Sequence, residues 1–281
     1  YADGPGILCE LLQNSDDAGA SEVSFLLDQS QYGASSILSP KMSEWQGPAL
    51  YCYNNSVFSS KDLHAISRIG QDSKLEKPHS VGRFGLGFNS VYHFTDVPSF
   101  VSGDNFVIFD PHANHLPGIS PSHPGLKIKF VGKGIALQFP DQFYPYFLFG
   151  CDLQHYYNGT LFRFPLRNNI TAAYSQIKQT AYSPDMVLNL FKNFQNIASE
   201  VLLFLHNVTS INLYFREGMD KDKEDKTGKD RTGQDKRSEG VMVFWWCQDL
   251  NPGQEDPVPL LSFIFFLTLS FSRNFLSQKK P

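Results

Sequence analysis

An α+β domain with an antiparallel or mixed sheet is the fold class that this 281-residue sequence predicts. Three observations carry the prediction. Short segments with strand-like alternation recur along the chain and follow one another towards its end. Two strongly patterned helices are set among them. A hydrophobic content of 41% with 25 Phe supplies apolar material for a sizeable core. The net charge of -4 leaves no basic footprint for nucleic acid. Four cysteines, Cys9, Cys52, Cys151 and Cys247, form no CxxC and read as reduced core thiols of a cytoplasmic protein. The chain begins with Tyr1, so the expectation is an excised part of a larger multidomain protein.

In order along the chain, Pro5 to Asp17 fits a helix with Ile7, Leu8, Leu11 and Leu12 on its apolar face and Gly19 as its C-terminal stop. "SEVSFLLD" (Ser21–Asp28) alternates as a strand, Gln29 to Gly47 has loop composition, and "PALYCYNN" (Pro48–Asn55) is a second strand. "SSKDLHAISRIG" (Ser59–Gly70) reads as a short helix with Ser60 as N-cap, followed by a polar loop to Ser80. A glycine run, "VGRFGLGFNSVY" (Val81–Tyr92), comes next. "NFVIFDP" (Asn105–Pro111), "LKIKFV" (Leu126–Val131) and "GTLFRFPLR" (Gly159–Arg167) read as strands. Pro184 to His206 is predicted as one helix, capped by Ser183, with Asp185 at the positive end of its dipole. "SINLYF" (Ser210–Phe215) and "VMVFWW" (Val241–Trp246) are the last strands. Between them, residues 216–240 carry nearly balanced charge and no aromatic residue, the composition of a solvated linker. After Pro259 the apolar run "LLSFIFFLTLSFS" falls short of the roughly 20 residues of a membrane span, so no membrane is expected. The domain boundaries expected are 1–215, 216–240 and 241–281.

Two constellations bear chemistry. In "ELLQNSDDAGA" (Glu10–Ala20), Glu10, Asn14 and Asp17 sit at i, i+4 and i+7, one helix face at about 100° per residue. Such a stripe on its own is most simply a solvated face. As a site, it offers Glu10 as a base for water and the Asn14 amide oxygen as a ligand for Mg²⁺, whose shell phosphate and water oxygens complete. In "GRFGLGFNS", Gly82, Gly85 and Gly87 precede an apparent helix starting near Phe88. Glycines allow close backbone approach, and a helix start presents free N–H groups. The spacing is neither the dinucleotide fingerprint nor a Walker A loop. His112, His115 and His123 lie in loop-like sequence without partners at ligand spacing, and His64 and His206 are single, so structural roles are expected for all five.

Together these segments resemble the GHKL ATPase superfamily, which includes DNA gyrase, the ninety-kilodalton heat-shock chaperones, sensor histidine kinases and mismatch-repair ATPases. "ELLQNSDDAGA" is similar to its first motif, "GRFGLGFNSVY" to its glycine-rich lid hinge in the heat-shock chaperone form, and "NGTLFRFPL" (Asn158–Leu166) to its late Gly-Thr strand. The resemblance extends from about Ile7 to Phe215 and is narrowest to a chaperone-like ATPase module that one large protein repeats.

The resemblance implies a two-layer α/β sandwich of the Bergerat type, with a mixed, mostly antiparallel sheet and helices on one face. It implies ATP and Mg²⁺ as cofactors and client or co-chaperone proteins as partners. Glu10 would activate water, and Asn14 would hold Mg²⁺. Asp17 would lie near the base-binding end. Gly82, Arg83, Phe84, Gly85, Leu86, Gly87 and Phe88 would cradle phosphate, Thr160 would contact adenine, and Ser59–Ser80 would be the lid. One position departs from the pattern. Where the family carries an Asp that accepts from the adenine amino group, "YNNSVFS" carries Asn54, with Ser56 and Phe58 in place of two glycines. A neutral acceptor makes a hydrogen bond roughly half as strong as a charged one. Two functions therefore stand side by side: a slow ATPase module of a chaperone, and a non-hydrolysing interaction module on the same fold with weak or absent nucleotide binding.

Overall fold

The computed structural model describes residues 4–59, 63 and 88–218 and the backbone of 241–247. Its strands are β1 (Glu22–Asp28), β2 (Ala49–Asn54), β3 (Ser99–Gly103), β4 (Asn105–Phe109), β5 (Gly125–Lys129), β6 (Tyr157–Pro165), β7 (Ser210–Arg216) and β8 (Val241–Cys247). They form one sheet in the order β5-β4-β3-β6-β2-β1-β7-β8. Among the described residues only β1 and β7 pair in parallel, so the sheet is mixed and mostly antiparallel, as expected.

Helix α1 (Gly6–Asp17) ends as the sequence predicts. Gly19 takes φ +78°, its N–H reaches the Asp16 carbonyl at 2.9 Å, and the Ala20 N–H reaches the Ser15 carbonyl at 3.0 Å. These two bonds are the Schellman closure, which a residue without a Cβ adopts at no steric cost. The apolar stripe Ile7, Leu8, Leu11 and Leu12 is buried against one face of the sheet, where Phe25, Leu50, Phe162 and Leu213 lie. The Pro184–Gln195 helix covers the same face through Val187, Leu190, Phe191 and Phe194, and the Ser183 Oγ accepts from the Met186 N–H at 3.3 Å.

Three expectations are corrected. The predicted Pro184–His206 helix is two helices, Pro184–Gln195 and Ala198–Leu202, broken at Asn196 and Ile197. Its far end is drawn out of helical geometry because the buried Asp16 carboxylate accepts from the N–H groups of His206, Asn207 and Val208. The sheet is also not covered on one face alone. Leu26, Tyr51, Val101, Phe106, Leu161 and Tyr214 point to a second core, closed by Met42, Trp45, Ile135, Phe143 and Tyr146. These strands carry apolar side chains in both directions, so both faces need covering. The segment predicted as a plain loop, 29–47, contributes the 3₁₀ turn Pro40–Trp45 to that cover.

Two arginines tie strand ends of this arrangement to buried carboxylates. Arg216 at the end of β7 pairs with the fully buried Asp28 of β1, its Nε 2.9 Å from Oδ1. Arg167, just past β6, is completely buried and donates to Asp96 and to the carbonyls of Tyr92 and His93 at 3.0 and 3.1 Å. Those carbonyls end the short 3₁₀ helix Phe88–His93.

Candidate functional site

A cavity of about 70 Å³ opens between α1, the end of β2 and β6. That is room for several water molecules. Its α1 wall is Leu11, Asn14, Ser15 and Ala18, spaced i, i+3, i+4 and i+7. The stripe facing the cavity therefore shares only Asn14 with the predicted stripe of Glu10, Asn14 and Asp17. Asn54 and Ser56–Phe58 form a second wall, Thr160 and Phe162 a third, and Phe88 completes the lining.

Sheet register explains the convergence. Asn54 of β2 and Thr160 of β6 are direct partners, and Ser102 of β3 is opposite Thr160 on the other side. Asn54 and Thr160, far apart in sequence, thus meet side by side at the cavity, and Ser102 bonds to Thr160 without lining it. Glu10 is half-buried one turn before Asn14 and does not line the cavity, and Asp17 is exposed. The residues Gly82, Arg83, Phe84, Gly85, Leu86 and Gly87, the expected lid beyond Ser59 apart from Leu63, the charged segment beyond residue 218 and the apolar tail lie outside the described residues.

The hydrogen bonds of the wall can be followed proton by proton. The Ser15 hydroxyl donates to the Leu11 carbonyl at 2.9 Å, a bond back along the helix. The Ser56 hydroxyl donates to the Ala18 carbonyl at 2.6 Å. Thr160 donates to the Ser56 carbonyl at 2.8 Å, so its 2.9 Å contact with Ser102 must be one in which Ser102 donates. Ser102 in turn accepts from the Phe58 N–H at 2.9 Å. Every one of these hydroxyl protons is committed to protein.

Asn54 is buried, at 4% exposure, and its orientation follows from its neighbours. The Ser56 N–H, 3.0 Å away, can only donate, so the atom it meets is Oδ1. The other atom is Nδ2, which donates to the Ser15 Oγ at 3.1 Å. Among the described residues the Asn14 side-chain amide has no hydrogen-bond partner, and no group of three acidic, His or Cys side chains could hold a metal. The wall formed by the described residues carries no charged side chain.

Sequence reasoning passed over Ser15, Asp16 and Ser102, and named Ser56 only as the replacement of a glycine. Ser15 and Asp16 had a readable signal, since a polar residue continuing the Leu8, Leu11 and Leu12 stripe needs a buried partner. Asp16 is only 4% exposed. Burial opposes its ionisation, but the three N–H bonds and the His206 ring outweigh that and hold its carboxyl below the usual range.

The model of the Sacsin domain matches residues 1–228. The chain belongs to the Sacsin domain family. Human Sacsin is 45% identical over 228 residues, which cover 79% of this chain and 5% of that protein. The chain thus spans a small part of its Sacsin relative. The matched segment includes β1 to β7 and the whole described cavity wall, while β8 lies beyond it. Among solved structures, the N-terminal domain of a DNA repair protein aligns over 74% of this chain and 47% of that chain, at 9% identity and a TM-score of 0.33.

Proposed function

We propose that this Sacsin domain is a nucleotide-binding module of the GHKL type on a Bergerat fold, binding ATP with Mg²⁺ as part of a larger cytoplasmic chaperone. One observation carries the reading. Asn14, Asn54 and Thr160, from three separated segments that resemble three motifs of that superfamily, line one cavity beside Phe88. The Asn14 amide fits the ion, because its oxygen is free to ligate among the described residues and Mg²⁺ takes few protein ligands beside phosphate and water. The ion would draw negative charge off the phosphates. Glu10, one turn from Asn14, would accept the proton of the attacking water, and the run from Gly82 to Phe88 would meet the phosphates through backbone N–H groups. Slow hydrolysis would then drive lid movement and act on client proteins.

The second reading, a non-hydrolysing interaction module, is favoured by the neutral Asn54 and by the absence of Glu10 from the cavity wall. A thermal-shift titration separates the two, because the interaction module binds nucleotide weakly or not at all. Mg-ATP at 100 times its Kd stabilises by about 2.7 kcal/mol, and no shift at millimolar Mg-ATP refutes nucleotide binding. Where a shift is seen, Glu10→Ala should keep it and lose about 10²–10⁴-fold in phosphate release. Equal turnover in the variant and the parent refutes Glu10 as the base.

A further inference from the structure

The geometry points to Ser15 as a positioning residue that sets which purine the cavity accepts, by locking Asn54 in one of its two amide orientations. This rests on the nucleotide reading above and goes beyond it, because it concerns how a neutral side chain can discriminate at all. An amide side chain has two faces of nearly equal shape. Turned one way, it offers an acceptor where the flipped form offers a donor. An unlocked Asn54 would therefore read an amino group or a carbonyl equally well.

Two neighbours remove that freedom. The Ser56 N–H holds Oδ1 at 3.0 Å, and the Ser15 Oγ holds Nδ2 at 3.1 Å. Ser15 can act as an acceptor here because its own proton is spent on the Leu11 carbonyl at 2.9 Å. A flip would set Nδ2 against the Ser56 N–H, a repulsive contact in a side chain only 4% exposed, and the Ser15 hydroxyl would have to leave the Leu11 carbonyl in order to donate to Oδ1. These bonds use one Oδ1 lone pair and one Nδ2 hydrogen. What remains for the cavity is one acceptor and one donor in a fixed order. That order matches the edge of adenine on which the 6-amino donor lies beside the N1 acceptor. A 6-oxopurine shows the reverse order, and only the flipped amide would fit it. Ser15 thus does through Asn54 what a carboxylate, being symmetric, does without help.

The test has two arms on the full chain. In the first, without ligand, the side-chain amide protons of Asn54 are followed by NMR in ¹⁵N-labelled protein, assigned by their loss in Asn54→Asp. They should exchange slowly in the parent and about tenfold or more faster in Ser15→Ala; unchanged exchange overturns the lock. In the second arm, dissociation constants are compared for Mg-ATP and for Mg-ITP, its 6-oxo analogue. The parent should prefer ATP by about tenfold, the worth of one matched hydrogen bond. Ser15→Ala should lower the ratio, because only the Ser56 N–H then holds the amide. Asn54→Asp should keep the preference and make it indifferent to Ser15→Ala, since a carboxylate cannot be misread by flipping. A ratio that Ser15→Ala leaves unchanged, or an equal fall in the Asp background, overturns the inference. If neither nucleotide binds, the nucleotide reading falls, and the first arm still decides whether Ser15 locks Asn54.

Discussion

Replacing Asp16 by Ala tests how α1 is tied to the rest of the sheet. The carboxylate accepts from the N–H groups of His206 at 3.0 Å, Asn207 at 2.6 Å and Val208 at 2.8 Å. Val208 is buried, so its orphaned N–H costs about 1–3 kcal/mol. His206 and Asn207 are exposed, and water replaces part of what they lose, leaving about 0.5–1 kcal/mol each. The total expected loss is about 3 kcal/mol at pH 7, read from urea unfolding as a lower midpoint with an unchanged slope. Asp17→Ala is the control, because its carboxylate is exposed and should change stability by less than about 0.5 kcal/mol. A loss under about 1 kcal/mol for Asp16→Ala, or equal losses for the two variants, refutes the reasoning. The pH dependence has a definite sign. The folded carboxyl lies below its unfolded value of about 3.9, so its stabilisation is full above that pH and is lost as pH falls through the folded value. Asp16→Ala should therefore be the less acid-sensitive protein below about pH 4.

Arg167→Met leaves the Asp96 carboxylate, only 7% exposed, without its cation and should cost about 3–5 kcal/mol in urea unfolding, with a partial return in the Arg167→Met/Asp96→Leu double variant. Gly159→Ala should cost roughly 1–3 kcal/mol, because the new Cβ would sit 2.9 Å from the Tyr53 ring and 3.0 Å from the Asn54 carbonyl, at the cavity end of the β2–β6 pair. Burial pushes all three described thiols up, Cys151 to about 12 and Cys52 further, while Cys9 stays half-exposed. Native labelling at pH 8 followed by peptide mass analysis should therefore find Cys9 modified well before Cys52 or Cys151.

Local patterns made much of the fold legible. The α1 stop at Gly19, the cap at Ser183 and seven of the eight strands follow from periodicity and turn chemistry within a few residues. β3 was missed because "SFVSG" is five residues long, leaves Pro98 directly and mixes small polar with apolar residues. The second core was missed because it is built from irregular chain that has no period to detect. For the site, the spacing Glu10, Asn14 and Asp17 named a polar face correctly, but a helix alone cannot say which way it is rolled. Burying Leu8, Leu11 and Leu12 rolls it so that Ser15 and Asp16 face inwards and Asp17 faces out. Their partners are 39 residues away at Asn54 and 190 residues away at His206, distances that no local pattern spans.

The parallel pairing of β1 with β7 bears on how the chain comes off the ribosome. Glu22–Asp28 pairs with Ser210–Arg216, so a strand made early waits for one made about 188 residues later. At the roughly 5–20 residues per second of synthesis, that wait is on the order of ten to forty seconds. Throughout it, β1 can be matched on its β2 side but has an open row of N–H and C=O groups on the other, flanked by Phe25 and Leu27. Such an edge pairs readily with any other extended chain. A nascent polypeptide halted before residue 210 is thus the species most prone to stick to its neighbours, and expression fragments that stop short of Arg216 should be recovered as aggregates.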